Sequence, residues 1–322
     1  MPATIVVVIV LGILVLISLI CGYVFSSVVL YARRQPIVST PKEYGLAYEE
    51  VEFKGTDGLN LKGWYIPGEA DASDKDPGQV VILTHPMTFN RHGFVVENQG
   101  FPPIAKTPVD LLKTAKALND AGYAVLMFDF RNHGESDGGL SGVGLTEYQD
   151  IIGAIAYVSN RRLTAPSIGF VSFCMGANAT IVALSKGKQQ LRNIKFLIAI
   201  QPVSAQVFLR CYLREVYTPL SLFLIPIIDR FARWRGGYAL KDMSPLAYAQ
   251  DVDIPTLYIQ ARDDPWTDLA DTHGFYEATS GPKELWLIDG IQRRFETYNY
   301  VGEHPERIVS FVRQHFSGAT EG

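Results

Sequence analysis

Apolar residues follow three rhythms along this chain. From 4 to 32 no residue is charged, and valine, isoleucine and leucine dominate. A helix of about 20 such residues spans a bilayer, so the run predicts one transmembrane helix in contact with membrane lipid. A secretory signal would want a positive start and a shorter apolar core, whereas Met1-Pro2-Ala3-Thr4 carries no Lys or Arg. Arg33 and Arg34 follow the run directly. By the positive-inside rule they place the rest of the chain in the cytoplasm. The expectation is a single-pass anchor over 1–34 and a linker over 35–48, where Pro36 and Pro41 stand.

Beyond the linker the apolar runs shorten. The stretch 49–54 alternates like an edge strand, and 61–67 is its hairpin partner across Gly55-Thr56-Asp57-Gly58. A charged loop is expected at 71–78. Runs at 80–84, 124–129, 167–171, 196–200, 256–259 and 284–288 are apolar without alternation, as strands buried on both faces are. Between them, 109–119, 145–158, 177–184 and 305–315 carry helical patterns. Strand and helix alternate, which predicts an α/β domain over 49–322 with a mostly parallel sheet and helices on both faces. One segment, about 205–247, breaks the rhythm. Its very apolar 220–228 is trailed by Arg230, Arg233 and Arg235. Three readings fit it: a lid over an apolar substrate, a helix packed on the domain, or a surface touching the membrane.

Composition narrows the function. Formal net charge is −4, and no Arg/Lys stripe suits nucleic acid, which is not expected as a partner. The cysteines, Cys21, Cys174 and Cys211, make no disulfide framework. Without a metal-ligand cluster, a P-loop or a dinucleotide fingerprint, no metal and no cofactor is expected.

The chemistry centres on Ser172-Phe173-Cys174-Met175-Gly176, set between a strand and a helix. That is the context of a nucleophile elbow, usually G-x-S-x-G. Here Ser172 takes the first glycine position and Cys174 the nucleophile position. The positive end of the helix dipole would favour a thiolate at Cys174. Otherwise Cys174 is a small buried residue opening a core helix.

Other landmarks stand in order. His85-Pro86-Met87 follows the third strand; Asp129-Phe130-Arg131-Asn132-His133-Gly134-Glu135-Ser136 follows the fourth; Gln260-Ala261-Arg262-Asp263-Asp264-Pro265 follows the elbow. In this order the chain resembles the α/β-hydrolase superfamily over nearly everything after Glu49, with a cysteine elbow like that of the dienelactone-hydrolase branch. The resemblance implies an α/β-hydrolase fold with a cap insertion over about 205–247. It implies Cys174 as nucleophile, the backbone amides of Met87 and Met175 as oxyanion donors, and Asp264 as the acid. His85 and Ser172 would line the pocket, and His133 would be structural. The base departs from the pattern. The Gly-x-x-His loop reads Gly290-Ile291-Gln292-Arg293, which puts Arg293 at the histidine position. An arginine stays protonated and is no general base, but it can hold a thiolate or a carboxylate by charge. An Asp264–Arg293 ion pair would serve structure alone. His304, before the final helix, is the other candidate for the base.

Two classes of function follow. One is a membrane-anchored hydrolase or acyltransferase acting on a small acyl-type substrate, an ester, thioester or lactone. The other is a catalytically inactive subunit with a binding or assembly role beside a partner membrane protein.

Overall fold

The computed structural model describes residues 2–68, 78–98, 106–161, 166–187, 191 and 193–317. The charged loop expected at 71–78 lies, Gly78 apart, outside the described residues.

The chain opens with α1 (Ala3–Leu30), whose exposed surface is apolar from Ile5 to Ile20. It is long and apolar enough to cross a membrane. Its last turns bury Gly22, Phe25, Ser26 and Leu30 in the rest of the protein.

Among the described residues, eight strands form the main sheet: β1 (Glu49–Lys54), β2 (Asn60–Ile66), β3 (Gln79–Thr84), β6 (Ala124–Phe128), β7 (Ser167–Phe173), β8 (Ile194–Ile200), β9 (Thr256–Ala261) and β10 (Lys283–Ile288). Two short strands, β4 (Gly93–Phe94) and β5 (Val109–Asp110), pair separately. The main order is β1-β2-β6-β3-β7-β8-β9-β10. Only β1–β2 and β2–β6 are antiparallel; from β6 to β10 the pairing is parallel.

Side-chain alternation explains why these strands are apolar throughout. Val80 and Ile82 of β3 enter one core, with Leu126, Phe170, Leu197 and Tyr258. Val81 and Leu83 enter the other, with Val125, Val171, Ile198 and Leu257. The first core is covered by α3 (Tyr148–Ser159), α4 (Met175–Lys186), α7 (Leu246–Ala249) and α8 (Leu269–Ala278). The second is covered by α2 (Leu112–Asp120), α9 (Arg294–Glu303) and α10 (Glu306–Ser317). Between β8 and β9 the irregular segment carries α5 (Ala205–Val216), a 3-10 turn (Pro219–Leu224) and α6 (Ile225–Trp234). These pack on α1 as well as on the domain.

Two helices start later than their sequence patterns suggest. The pattern at 109–119 yields a helix only from Leu112, because Val109 and Asp110 pair with β4 and the Asp110 carboxylate accepts the Leu112 amide at 2.9 Å. The pattern at 145–158 starts at Tyr148. Its first residues form a turn around the buried Glu147 carboxylate, which accepts the Gly144 amide at 2.7 Å and the Ser141 hydroxyl at 2.6 Å.

Leaving β3, the chain goes first to β6 on one side and then to β7 on the other. That reversal opens a crevice at the carboxyl ends of β3 and β7, the place where open α/β sheets hold their ligands. Met87 follows β3 there, and Cys174 follows β7.

Candidate active site

Cys174 sits between β7 and α4 with φ 51° and ψ −110°. Positive φ in a non-glycine residue is strained by about 1–3 kcal/mol and persists only where its surroundings hold it. Several bonds do so. The Cys174 amide donates to the Ile200 carbonyl at 2.8 Å, and its own carbonyl accepts the Asn178 amide at 3.0 Å. Asn178 Nδ2 ties α4 to the carbonyls of Val143 at 3.1 Å and Val203 at 2.9 Å. Gly176 is required by space, since a Cβ there would lie 2.3 Å from Thr84 Oγ1 and 3.1 Å from the His85 carbonyl.

Cys174 is 9% exposed and lines a cavity of about 110 Å³ together with Met87, Phe208, Tyr212, Arg294 and Tyr298. Arg294 is the first residue of α9 and is fully buried. Its Nη1 donates to Asp264 Oδ2 at 2.6 Å, and its Nη2 lies 3.5 Å from Cys174 Sγ and donates to the Gln201 carbonyl. Burial by itself pulls the pKa of this guanidinium down. Tyr298, Cys174 and Asp264 outweigh burial and raise its pKa. Asp264 is satisfied from all sides: it accepts the Trp266 amide at 3.0 Å, Gln201 Nε2 at 3.3 Å and Gln260 Nε2 at 3.4 Å.

Tyr298 stands one helical turn beyond Arg294 on α9. Burial pushes its phenol well above the ordinary tyrosine range, against the pull of Arg294 and with Cys174 and Asp264 adding to the rise. Its hydroxyl is buried beside Cys174. As the first residue of α4, Met175 has an amide with no intrahelical acceptor. Met87 borders the same cavity.

All six histidines of the chain are described, and none takes the base position. His85 shares its Nδ1 proton with the Pro86 carbonyl at 2.7 Å and accepts the Phe130 amide on Nε2 at 3.0 Å. His133 does the same with the Arg131 carbonyl at 2.8 Å and the Thr88 amide at 3.2 Å. Both nitrogens of each ring are therefore occupied. Burial pushes His85 down to about 4 from the ordinary 6.5. Burial, and then the neighbouring His85, push His133 down to about 3.

These depressed values carry a pH dependence. The fold favours the neutral rings, so their contribution to stability is complete above about pH 6.5. It is lost as pH falls from there toward 4, at about 1.4 kcal/mol per unit for each ring. By pH 5 each ring costs about 2 kcal/mol. Tm should fall from pH 7.5 to pH 5, and His133→Asn should flatten that fall. Equal slopes for the variant and the unaltered protein would contradict the assignment.

No protein-family model matches the chain. The uncharacterized protein YqkD of Bacillus subtilis (strain 168) is 26% identical over 292 residues, which are 87% of this chain and 88% of YqkD. Among solved structures, the Pyrococcus furiosus esterase Pf2001 superposes with a TM-score of 0.64 at 21% identity, over 90% of this chain and 97% of that one. The α/β hydrolase GrgF from Penicillium sp. sh18 gives 0.59 at 18% identity, over 84% and 100%. This protein has the α/β-hydrolase fold. At such identities the likeness concerns the fold, and each neighbour's activity remains its own.

On this hydrolase fold the structure brings Cys174, Asp264, Met87 and Met175 to one end of the sheet, and it corrects four other positions. Arg293 does not join Cys174 and Asp264; its side chain is 56% exposed and lies 3.7 Å from Glu296. Arg294 takes the place instead. The helix α9 begins at Arg294. Successive helical residues point about 100° apart, so neighbouring arginines face water and core respectively. His304 is exposed at the far end of α9, with its ring against Tyr300. About 15 Å of helix separates it from Arg294. Ser172 lies beneath the cavity, fully buried, with its hydroxyl 3.0 Å from that of Thr180. His85 is likewise spent on the backbone bonds above, and neither residue borders the cavity.

Arg294 and Tyr298 were absent from the sequence reading. A signal did exist. Residues 294, 295, 298, 301 and 302 are buried at helical spacing, and Phe295, Tyr298 and Val301 mark that face in the sequence. The walls supplied by Phe25, Val28 and Val29 of α1 have no local signal.

Proposed function

We propose that this protein is a membrane-anchored, cysteine-dependent acyl hydrolase or acyltransferase acting on an ester, thioester or lactone. One observation carries the reading. A buried arginine, fixed by Asp264, holds its Nη2 3.5 Å from the sulfur of a cysteine at the strained elbow.

The chemistry requires little from a base. The Cys174 thiolate, balanced by Arg294, forms a C–S bond to the acyl carbon. The carbonyl electron pair moves onto oxygen, where the Met87 and Met175 amides receive it. Collapse expels the leaving group: an alkoxide takes its proton from Tyr298, whose phenol burial holds protonated, whereas a thiolate departs as the anion and takes none. Water, or an acceptor hydroxyl or thiol, then attacks the acyl-enzyme. Its proton restores the Tyr298 phenol where that was spent, and otherwise goes to the departed thiolate, and the C–S bond breaks. Without an imidazole to activate water, the second half is the slow one. Good leaving groups, above all thiolates, suit this site best.

The anchor reading belongs with it. The last turns of α1 are built into the fold. The Leu30 carbonyl accepts the Ser141 amide at 2.9 Å, Asn132 Nδ2 reaches the same carbonyl at 3.4 Å, and Arg235 donates to Ser27 Oγ at 2.6 Å. Removing such a helix as a signal would strip the core. We place the domain on the cytoplasmic side, from Arg33 and Arg34.

A panel of aryl esters, acyl thioesters and lactones, followed by intact-mass measurement, tests the reading. Acyl adducts that map to Cys174 are expected. No adduct and no turnover across the panel would end it. The locked state of His85 and His133 would then favour the other reading, a binding or assembly subunit.

A further inference from the structure

Three independent observations converge on the membrane side of the cavity. The first is the wall itself. Phe25, Val28 and Val29 of α1 border the same space as Cys174, facing Phe208, Leu209 and Tyr212 of α5. The membrane helix is therefore part of the pocket.

The second is depth. From Ala3 to Gly22, α1 rises ~29 Å, which matches the ~30 Å hydrocarbon core of a bilayer. Gly22 is where the domain begins. It lets α6 approach so closely that a Cβ there would lie 2.5 Å from Ile227 Cγ2. Phe25 to Val29 thus stand within two turns of the hydrocarbon boundary.

The third is the rim. Tyr23 packs edge-on to Phe231 at 5.8 Å, Phe231 meets Trp234 at 6.2 Å, and Phe25 meets Tyr217 at 5.8 Å. Around these contacts Leu220 is 78% exposed, Trp234 75% and Phe223 51%. The exposed apolar surface of α1 therefore continues onto the insertion. Arg235 stacks on Tyr23 at 4.5 Å. Aromatic rings and arginines at a helix exit mark the level of lipid headgroups.

On the other side, a second cavity of about 500 Å³ meets the first at Arg294 and Phe295 and is bordered by Lys106, Arg293 and Glu215. The two differ in character: an apolar chamber against the membrane helix, and a charged one away from it.

We infer that the Cys174 site takes its substrate from the bilayer. The ligand is the acyl chain of a membrane lipid, which enters between α1 and the α5–α6 insertion and brings its carbonyl to Cys174. Its polar part points to the charged cavity. The chemistry at Cys174 rests on the catalytic half of the function proposed above, and the occupancy of the chamber by a lipid chain rests on its anchor half alone.

The experiment uses full-length protein in phosphatidylcholine nanodiscs that contain a phosphatidylcholine with a mid-chain diazirine. After irradiation, crosslinks are expected at Phe25–Val29 and on α5, besides those on the outer face of α1. Crosslinks confined to residues 3–22 would overturn the inference. As a second reading, Cys174 is alkylated in nanodiscs by iodoacetamides bearing ethyl or dodecyl chains. The dodecyl reagent should react at least about tenfold faster, a difference of about 1.4 kcal/mol. Val28→Trp, which fills the chamber, should erase that preference. Equal rates for the two reagents in the unaltered protein would also overturn it. Turnover of water-soluble esters with no chain preference would sink this inference alone. Pocket crosslinks without any turnover would sink the catalytic reading alone.

Discussion

Cys174→Ala is expected to abolish acyl adduct formation and to lower turnover by on the order of 10⁴-fold or more. The prediction extends to Cys174→Ser. A serine hydroxyl must lose its proton to a base as it attacks. The rings nearest the crevice have both nitrogens committed: His85 to Pro86 and Phe130, His133 to Arg131 and Thr88. Arg294 cannot accept a proton. The serine variant should therefore be as inactive as the alanine one. Both should fold, because the bonds that hold the elbow come from the backbone and from Asn178. Their Tm values should stay within a few degrees of the unaltered protein. The measurements are intact mass after incubation with an acyl thioester, and thermal unfolding. A serine variant with substantial turnover would show that a base operates here after all.

The parts of this protein that sequence makes legible are those set by local pattern. β3 and β7 show themselves as unbroken apolar runs because both faces are covered. The elbow shows itself because a strand, a tight turn and a helix must meet at Cys174 and Gly176. Asp264 follows from its loop after β9. What escaped is set by phase and by distance. Counting along Gly290-Ile291-Gln292-Arg293 lands one residue short, because the helix that begins at Arg294 decides which arginine turns inward. Tyr298 depends on that same phase. The α1 wall escapes for a different reason. Nothing local in a long apolar helix says that Phe25 will border Cys174, since that contact exists only after the insertion has packed on both.

Arg294→Leu should be the most destabilising single change at the site. The pair it breaks is buried on both sides, with side-chain exposures of 1% and 0%. Removing one partner strands the Asp264 charge with only the Trp266 amide and two glutamine amides around it. Such losses cost about 3–5 kcal/mol, and Tm should fall by about 10 °C. Arg294→Lys should recover little, because an ammonium lacks the fork that reaches Asp264, Gln201 and Cys174 together. Arg294→His separates structure from chemistry. An imidazole between Asp264 and Cys174 would supply the missing base and quicken hydrolysis of the acyl-enzyme. The rate would rise with pH through the ordinary histidine range near 6.5. Stability and chemistry would then move in opposite directions in one variant, with lower Tm and faster deacylation. If Arg294→Leu unfolds within about 1 kcal/mol of the unaltered protein, the pair does not hold the site together. If Arg294→His hydrolyses no acyl-enzyme at any pH, the elbow and the acid are not aligned for catalysis, and the arginine serves structure alone.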